Sequence, residues 1–291
     1  MELLTHPDAC RLWRRQLAAG ETLALVPTMG ALHQGHGALI RMARAQADVV
    51  AVSIFVNPLQ FGPGEDFQRY PRPQQADLAF CQSLGVNAVF APSPQAMYPR
   101  GMAACTRVAP PPDLSDRLCG ASRPGHFTGV ATVVLKLLAL FSPDMAVFGE
   151  KDAQQYAILA RMAADLDLDA RLIRHPVVRE ADGLAMSSRN RYLSAPQQRE
   201  AALSLSRILF WLRDAWRQAG EPSQSRLSAP DAFAEACQRE TRDGFTLEYL
   251  EAVDDEDFTP SETLRAGVRL LIAGRVGDVR LIDTLLLSAS A

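Results

Sequence analysis

His33, Gln34, Gly35 and His36 set two imidazoles three residues apart, just past an apolar strand pattern and at the start of a helical one. A helix N-terminus offers unpaired N–H groups and the positive end of a dipole, a natural seat for phosphate. Imidazole N–H groups pointing into that seat can meet negative charge developing on phosphate oxygens. Gly35 leaves room for a base or ribose against the backbone, and Gly30 lets the chain turn tightly beside a ligand. An isolated HxxH pair is more often a cap or a packed pair. Here two of the chain's five histidines fall together with both glycines, and the pattern points to function. No third His or Cys stands at the spacing of a zinc motif.

Three further stretches carry similar chemistry. Gly149, Glu150, Lys151 and Asp152 follow another apolar strand, with Gln154 and Gln155 just beyond. Of 30 basic residues only Lys136 and Lys151 are lysine, so arginine is used almost everywhere else. Lysine is a compact charge on a flexible stem, which the planar arginine fork does not imitate. Lys151 is therefore a phosphate candidate, whereas Lys136 sits in an apolar run and reads as a snorkelling side chain. For Asp152, capping the next helix and bonding a ribose both stay open. Gln155 would face the site one turn into that helix, while Gln154 reads equally well as an ordinary surface residue. Met186, Ser187, Ser188, Arg189, Asn190 and Arg191 offer hydroxyls and guanidinium suited to a triphosphate or pyrophosphate, though such a loop alone is usually a solvated connection. Finally, a buried strand pattern from Ser53 runs into Asn57, Pro58 and Gln60, where an amide could bond both hydroxyl and carboxylate of a small acid.

Regular elements must position these groups. Leu23–Val26, Val49–Val56, Ala88–Phe90, Met145–Phe148 and Leu172–Val178 read as strands. Between them Asp8–Ala19, His36–Ala47, Gln74–Leu84, Phe127–Phe141 and Asp152–Leu166 read as helices. The alternation predicts an α/β fold: a Rossmann-like parallel sheet with helices on both faces, over residues 1–178. Ligands gather at the carboxyl ends of such strands, where the stretches above fall. A loop from Arg179 to Leu193, a helix around Pro196–Ala219, a polar stretch at Gly220–Ser228, a short helix and three strand-like runs (Thr246–Val253, Val268–Ala273, Val279–Ile282) predict a smaller α+β domain over 179–291. Ala109–Gly129, rich in Pro and Gly, suits a mobile loop over the site and an ordered surface connection equally.

Composition narrows the classes. The chain has 291 residues, 48% of them hydrophobic, enough to bury a substantial core. A net charge of −3 argues against nucleic acid as a partner. No apolar run is long enough to span a membrane. Five scattered cysteines without a CxxC pair, and an N-terminus unlike a signal peptide, predict structural thiols in a cytoplasmic protein.

Taken together the stretches resemble the pantothenate synthetase family (pantoate–β-alanine ligases), within the HxGH nucleotidylyltransferases. The matching text is Leu25–His36, Val52–Phe61, Tyr70–Arg72, Ala121–Val130, Phe148–Gln155 and Asp182–Leu193, in family order, with Gly277–Asp283 extending it towards the C-terminus. The resemblance implies a ligase that uses ATP, with Mg2+ expected alongside it, to activate pantoate as an adenylate that β-alanine then attacks. It implies an ATP site made by Met29, Gly30, Ala31, Leu32, His33, Gln34, Gly35, His36, Gly149, Glu150, Lys151, Asp152, Val178, Met186, Ser187, Ser188 and Arg189. His36, as proton donor or charge stabiliser, would be catalytic together with His33 and Lys151. Gln60 and Gln155 would hold pantoate, with Gln60 also placing β-alanine. A homodimer and a C-terminal domain closing over the ATP site complete the implied picture, and no metal-ligating residue is assigned.

Three positions depart from the family's usual text: Gln34 where an acid is common, Gly37 where a larger apolar residue is common, and Thr284 where Asn is frequent. None removes a proposed catalytic group. Competing readings are an HxGH enzyme acting on a phosphate acceptor, a class I aminoacyl-tRNA synthetase and a non-catalytic nucleotide sensor. The amides at Asn57 and Gln60, the acidic balance, and the retained histidines, Lys151 and Ser-Ser-Arg loop respectively disfavour them.

Overall fold

The computed structural model describes residues 1–220 and 227–288. Most of the polar stretch read at Gly220–Ser228 lies outside the described residues. Contacts divide the chain into two compact units, Met1–Gly149 with Gln154–Pro176, and Glu150–Ala153 with Val177–Ala291.

In the first unit the chain runs β1 (Glu2–Leu4), α1 (Pro7–Arg15), β2 (Leu23–Thr28), α2 (Gln34–Gln46), β3 (Val49–Ile54), α3 (Gln74–Ser83) and β4 (Ala88–Phe90). Short helical turns α4 (Pro94–Met97), α5 (Pro112–Ser115) and α6 (Cys119–Ser122) lead into the long α7 (His126–Phe141), then β5 (Met145–Gly149), α8 (Ala153–Asp165) and β6 (Arg171–His175). The six strands are parallel in the order β1-β4-β3-β2-β5-β6. Side chains alternate across the sheet: Leu23, Leu25, Ala51, Phe90, Ala146 and Phe148 pack with Trp13 and Phe141, while Ala24, Val26, Val50, Val52 and Val147 pack with Ile40 and Cys81. Both faces are therefore buried, which is why these strands read as continuous apolar runs. Buried among those packed groups, one on each face, lie Cys10 and Cys81; burial pushes each thiol up to about 12.

Strand order reverses between β2 and β5, so that point is the topological switch where α/β sheets leave a crevice. The register pairs Leu25 with Ala146, and three residues further along each strand brings Thr28 and Gly149 to the same level.

The second unit contains α9 (Pro196–Ala202), α10 (Ser204–Gln218), β7 (Leu227–Ser228), α11 (Ala229–Glu240), β8 (Phe245–Asp254), β9 (Thr263–Leu264), β10 (Val268–Val276) and β11 (Val279–Leu286). β8, β10 and β11 form an antiparallel sheet in the order β11-β10-β8. Ile208, Leu209, Leu212 and Trp216 of α10 bury against Leu270 and Ile272 of β10. An α/β unit and a smaller α+β unit are thus what the alternation implied.

Several boundaries differ. β1 was not foreseen, because three residues paired only with β4 carry no periodic signal. The last parallel strand stops at His175 rather than Val178, since Pro176 has no N–H to continue a ladder. β3 ends at Ile54, short of Val56, and Pro58–Gln60 form a tight 3-10 turn. The single helix read at Pro196–Ala219 is two, parted at Leu203, whose ψ of −16° tightens the turn. Lys136 is half-buried on its apolar helix, its ammonium 5.7 Å from the centre of the buried Tyr98 ring.

One packing constraint ties α7 to the 3-10 turn. A Cβ built on Gly129 would lie 2.3 Å from the Leu59 carbonyl oxygen and 2.7 Å from the Gln60 nitrogen. Both are backbone atoms that no rotamer change can withdraw. We expect Gly129→Ala to destabilise the fold by about 1–3 kcal/mol, the scale of overpacking. Urea unfolding against the parent measures it, and an unchanged midpoint would show that the turn yields.

Candidate active site

The end of β2 is shaped by hydrogen bonds that hold its peptide groups in place. Thr28 donates its hydroxyl to the Ser53 carbonyl at 2.6 Å and accepts from the Gly30 N–H at 3.1 Å. Gly30 and Ala31 then take left-handed φ values of 81° and 51°. The buried Asp77 carboxylate on α3 accepts from both following amides, Ala31 N–H and Leu32 N–H, each at 2.8 Å. A Cβ on Gly30 would lie 2.9 Å from that carboxylate and from Ile54 Cγ2, so glycine is required for both φ and space.

The helix that follows is capped by its own motif histidines. His33 Nδ1 accepts from the Gly35 N–H at 3.1 Å, and His36 Nδ1 accepts from the His33 N–H at 3.2 Å. The rings stand 4.1 Å apart between centroids. A ring nitrogen that accepts a backbone N–H holds no proton, so in each neutral imidazole the proton sits on Nε2. The motif therefore caps its own helix and leaves both imidazole protons on Nε2. Met29, Leu32, Gly35 and both histidines are half-buried, Gly30 and Ala31 buried, and Gln34 exposed.

Gln60 ends the 3-10 turn after β3 and is buried. Asn57 Nδ2 donates to its Oε1 at 3.0 Å, and Tyr98 donates its hydroxyl to Asn57 Oδ1 at 2.8 Å. Gln60 Nε2 is thereby turned towards Met29 Sδ, 3.3 Å away. Across the switch point Gly149 closes β5, and a Cβ there would meet nothing within 4 Å. Gln155 is half-buried in the first turn of α8. Its neighbour Gln154 is no surface residue: it is buried, donates to the Leu114 and Arg117 carbonyls at 2.9 and 2.8 Å, and accepts from Cys119 N–H at 3.0 Å. Those bonds tie the backbone at Leu114, Arg117 and Cys119 to the start of α8.

The second unit gathers the remaining residues. Glu150, Lys151 and Asp152 form a 3-10 turn before α8. The Arg269 guanidinium, 1% exposed, lies 3.2 Å from Glu150 and 2.6 Å from Asp255. Lys151 keeps a side-chain exposure of 21%. It lies 4.0 Å from Asp152, whose side chain is 48% exposed. Burial pushes the Asp283 carboxyl above its ordinary value, opposed by Arg179, the Thr284 N–H and the Lys151 charge. Val178 and Met186 meet across a small hairpin through a 2.9 Å bond from Met186 N–H to the Val178 carbonyl. Ser187 then accepts from Arg189 N–H at 3.2 Å; Ser188 is buried and Arg189 half-buried. Arg199 braces this hairpin, donating to Glu180 at 2.7 Å and to Asp182 at 2.8 Å.

Asp77, Tyr98, Arg199 and Arg269 escaped sequence reasoning, since a lone carboxylate, phenol or arginine carries no motif. Asp77 had one usable signal, its place five residues after the matching Tyr70–Arg72 stretch. Among the described residues no three His, Cys, Asp or Glu side chains are gathered to hold a metal ion. No helix there is long and apolar enough to cross a membrane.

Residues 2–286 match the model of the pantoate-beta-alanine ligase family. The chain belongs to that family. It is 51% identical over 269 residues to the pantothenate synthetase of Myxococcus xanthus, covering 91% of this chain and 89% of that one. A crystal structure of pantothenate synthetase from Thermus thermophilus matches with a TM-score of 0.89 and 42% identity, covering 99% of this chain and 100% of that one. The Francisella tularensis pantoate-beta-alanine ligase, complexed with beta-gamma ATP and beta-alanine, matches with a TM-score of 0.78 and 33% identity, over 99% of this chain and 98% of that one. Other relatives are longer. Against the bifunctional pantoate ligase/cytidylate kinase of Thermosynechococcus vestitus, 53% identical, the chain spans about half, 51%, of that protein's length and 91% of its own is covered.

The departures from usual pantoate–β-alanine ligase text are accommodated locally. Gly37 is buried, and a Cβ there would stand 3.0 Å from the Phe80 ring, which already fills the space. Thr284, also buried, donates its hydroxyl to the Leu270 carbonyl at 2.7 Å. Gln34 points to solvent.

Asp77 is the support most open to test. Asp77→Ala leaves two backbone donors without their acceptor, and we expect a loss of about 1–3 kcal/mol in stability. ATP saturation should weaken with it, because the turn presenting His33 and His36 loses its anchor. Asp77→Asn, which keeps one acceptor, should fall between. Urea unfolding and the KM for ATP measure both effects; normal values for Asp77→Ala would mean that the turn holds itself.

Proposed function

We propose that this chain joins (R)-pantoate to β-alanine, forming pantothenate from ATP by way of pantoyl adenylate. The pantoate carboxylate attacks the α-phosphorus of ATP and releases pyrophosphate; the β-alanine amine then attacks the acyl carbon and expels AMP. The carrying observation is the capped turn at His33–His36, which aims two Nε2–H donors from a helix N-terminus in a chain of this family.

In this reading Met29 to His36, Gly149 to Asp152, Val178 and Met186 to Arg189 bind ATP. His36 and His33 stabilise charge on the phosphates through Nε2–H, and Lys151 follows the phosphate as a mobile ammonium. Gln60 and Gln155 hold pantoate, Gln60 through the amide nitrogen that Asn57 leaves facing Met29. No covalent enzyme intermediate is required, so rate comes from positioning and charge stabilisation. Magnesium enters as part of the substrate. A hard ion of this kind keeps phosphate and water oxygens as ligands. A homodimer and a cytoplasmic setting belong to the same proposal.

The deciding experiment is isotope exchange. Labelled pyrophosphate should enter ATP with pantoate present and β-alanine absent. An active enzyme without that exchange, once slow pyrophosphate release is excluded, would remove the adenylate from the scheme.

Lys151 gives a sharper prediction about one side chain. In a chain where arginine serves at nearly every basic position, a surface charge at Lys151 would tolerate arginine. A phosphate contact would not, because the longer planar guanidinium cannot occupy the same point. We expect Lys151→Arg to fold normally and lose much of its adenylate-forming rate, with Lys151→Ala slower by about 10²–10³-fold, as for a lost oxyanion donor. Single-turnover adenylate formation beside thermal unfolding reads it; parent-like rates in both variants would return Lys151 to the protein surface.

A further inference from the structure

Gln60 is held by its backbone as well as by its side chain. Its carbonyl oxygen lies 2.8 Å from His126 Nδ1 and 3.3 Å from an Arg123 guanidinium nitrogen. A second Arg123 nitrogen stands 3.0 Å from His126 Nε2. Arginine has no acceptor, so His126 Nε2 must accept that bond and bear a lone pair. The imidazole proton is then on Nδ1, where it donates to the Gln60 carbonyl. Arg123 is itself fixed by two bonds to Glu65, at 2.9 and 2.6 Å. Burial raises the Glu65 carboxyl, but the Arg123 bond and charge outweigh it and hold it below its ordinary value. Arg123 thus donates to Glu65 on one side and to His126 on the other, and His126 donates onward to the Gln60 carbonyl.

That chain acts on a weak element. Gln60 closes a 3-10 turn of three residues, which has little intrinsic definition. On its other side Asn57 Nδ2 bridges the Gly129 carbonyl and Gln60 Oε1, each at 3.0 Å. The main-chain anchor from His126 and the side-chain anchor from Asn57 together leave the Gln60 carboxamide one orientation, with Nε2 facing Met29 Sδ. We infer that His126, held as its Nδ1–H tautomer by Arg123 and Glu65, is a positioning residue for pantoate: it sets the main chain of Gln60 so that the amide N–H meets the substrate. This rests on the proposed pantoate role of Gln60.

The test uses two replacements for one ring. The amide nitrogen of asparagine can take the place of Nδ1 and donate to the Gln60 carbonyl; that of glutamine reaches towards the Nε2 position instead. The pantoate KM should rise about tenfold or more in His126→Gln but stay within about threefold of the parent in His126→Asn, while the ATP KM stays within about twofold in both, as expected for lost substrate binding alone. In a Gln60→Ala background, His126→Gln should add no further change, because its effect passes through Gln60. Equal pantoate KM values in the Asn and Gln variants, a full additional loss in the Gln60→Ala background, or outright unfolding of His126→Gln would each overturn the inference. A Gln60→Ala enzyme with normal pantoate saturation would instead remove the Gln60 assignment on which it stands.

Discussion

Two consecutive amides at the end of β2 need an acceptor, and the Asp77 carboxylate supplies it. Gly30 and Ala31 both sit at positive φ, a conformation that costs a residue with a Cβ about 1–2 kcal/mol. The turn adopts it because Ala31 and Leu32 N–H then point at one buried carboxylate. Thr28 secures the preceding peptide, and His33 receives the chain as helix cap. Released from Asp77, the turn would lose its reason for this shape, and the histidine donors would lose their direction. The anchor comes from α3, a helix without a recognisable motif, so the motif works only through a partner it does not name.

The second unit solves similar problems with guanidinium groups. Arg269 draws in Glu150 and Asp255, Arg179 grips Asp283 through two bonds at 2.6 and 3.0 Å, and Arg199 ties Glu180 to Asp182. Each uses the planar fork to hold carboxylates in fixed geometry, which ammonium cannot do. The arginine-rich composition is therefore an asset for bracing loops. Lys151 stands out as a cation without that rigid role, its nearest acid 4.0 Å away.

The sheet and its helices were legible because burial on both faces leaves unbroken apolar runs of strand length between helical periods. Val49–Ile54 and Met145–Gly149 are examples. β1 was not legible, since Glu2–Leu4 is defined only by the strand it pairs with. The histidine pair was legible as the start of a helix, yet its reciprocal capping depends on ring orientation, which residue type does not encode. Gln154 read as plausible surface and is buried, because its partners at Leu114, Arg117 and Cys119 lie 35 to 40 residues away. His126 and Arg123 stood in matching text without a stated task. Their task appears only when Gln60, more than 60 residues earlier, is brought against them.

Cys10 and Cys81 give the folded sheet an unplanned property. With thiols near 12, only about one molecule in 10⁴ or fewer carries a thiolate at neutral pH, and thiolate is the reactive form. While the sheet is closed both sulfurs are chemically silent, and the layers above them deny access as well. Opening restores an ordinary thiol on whichever side has parted. Because the two lie on opposite faces, alkylation of one or the other becomes a clock for the loosening of each helical layer separately.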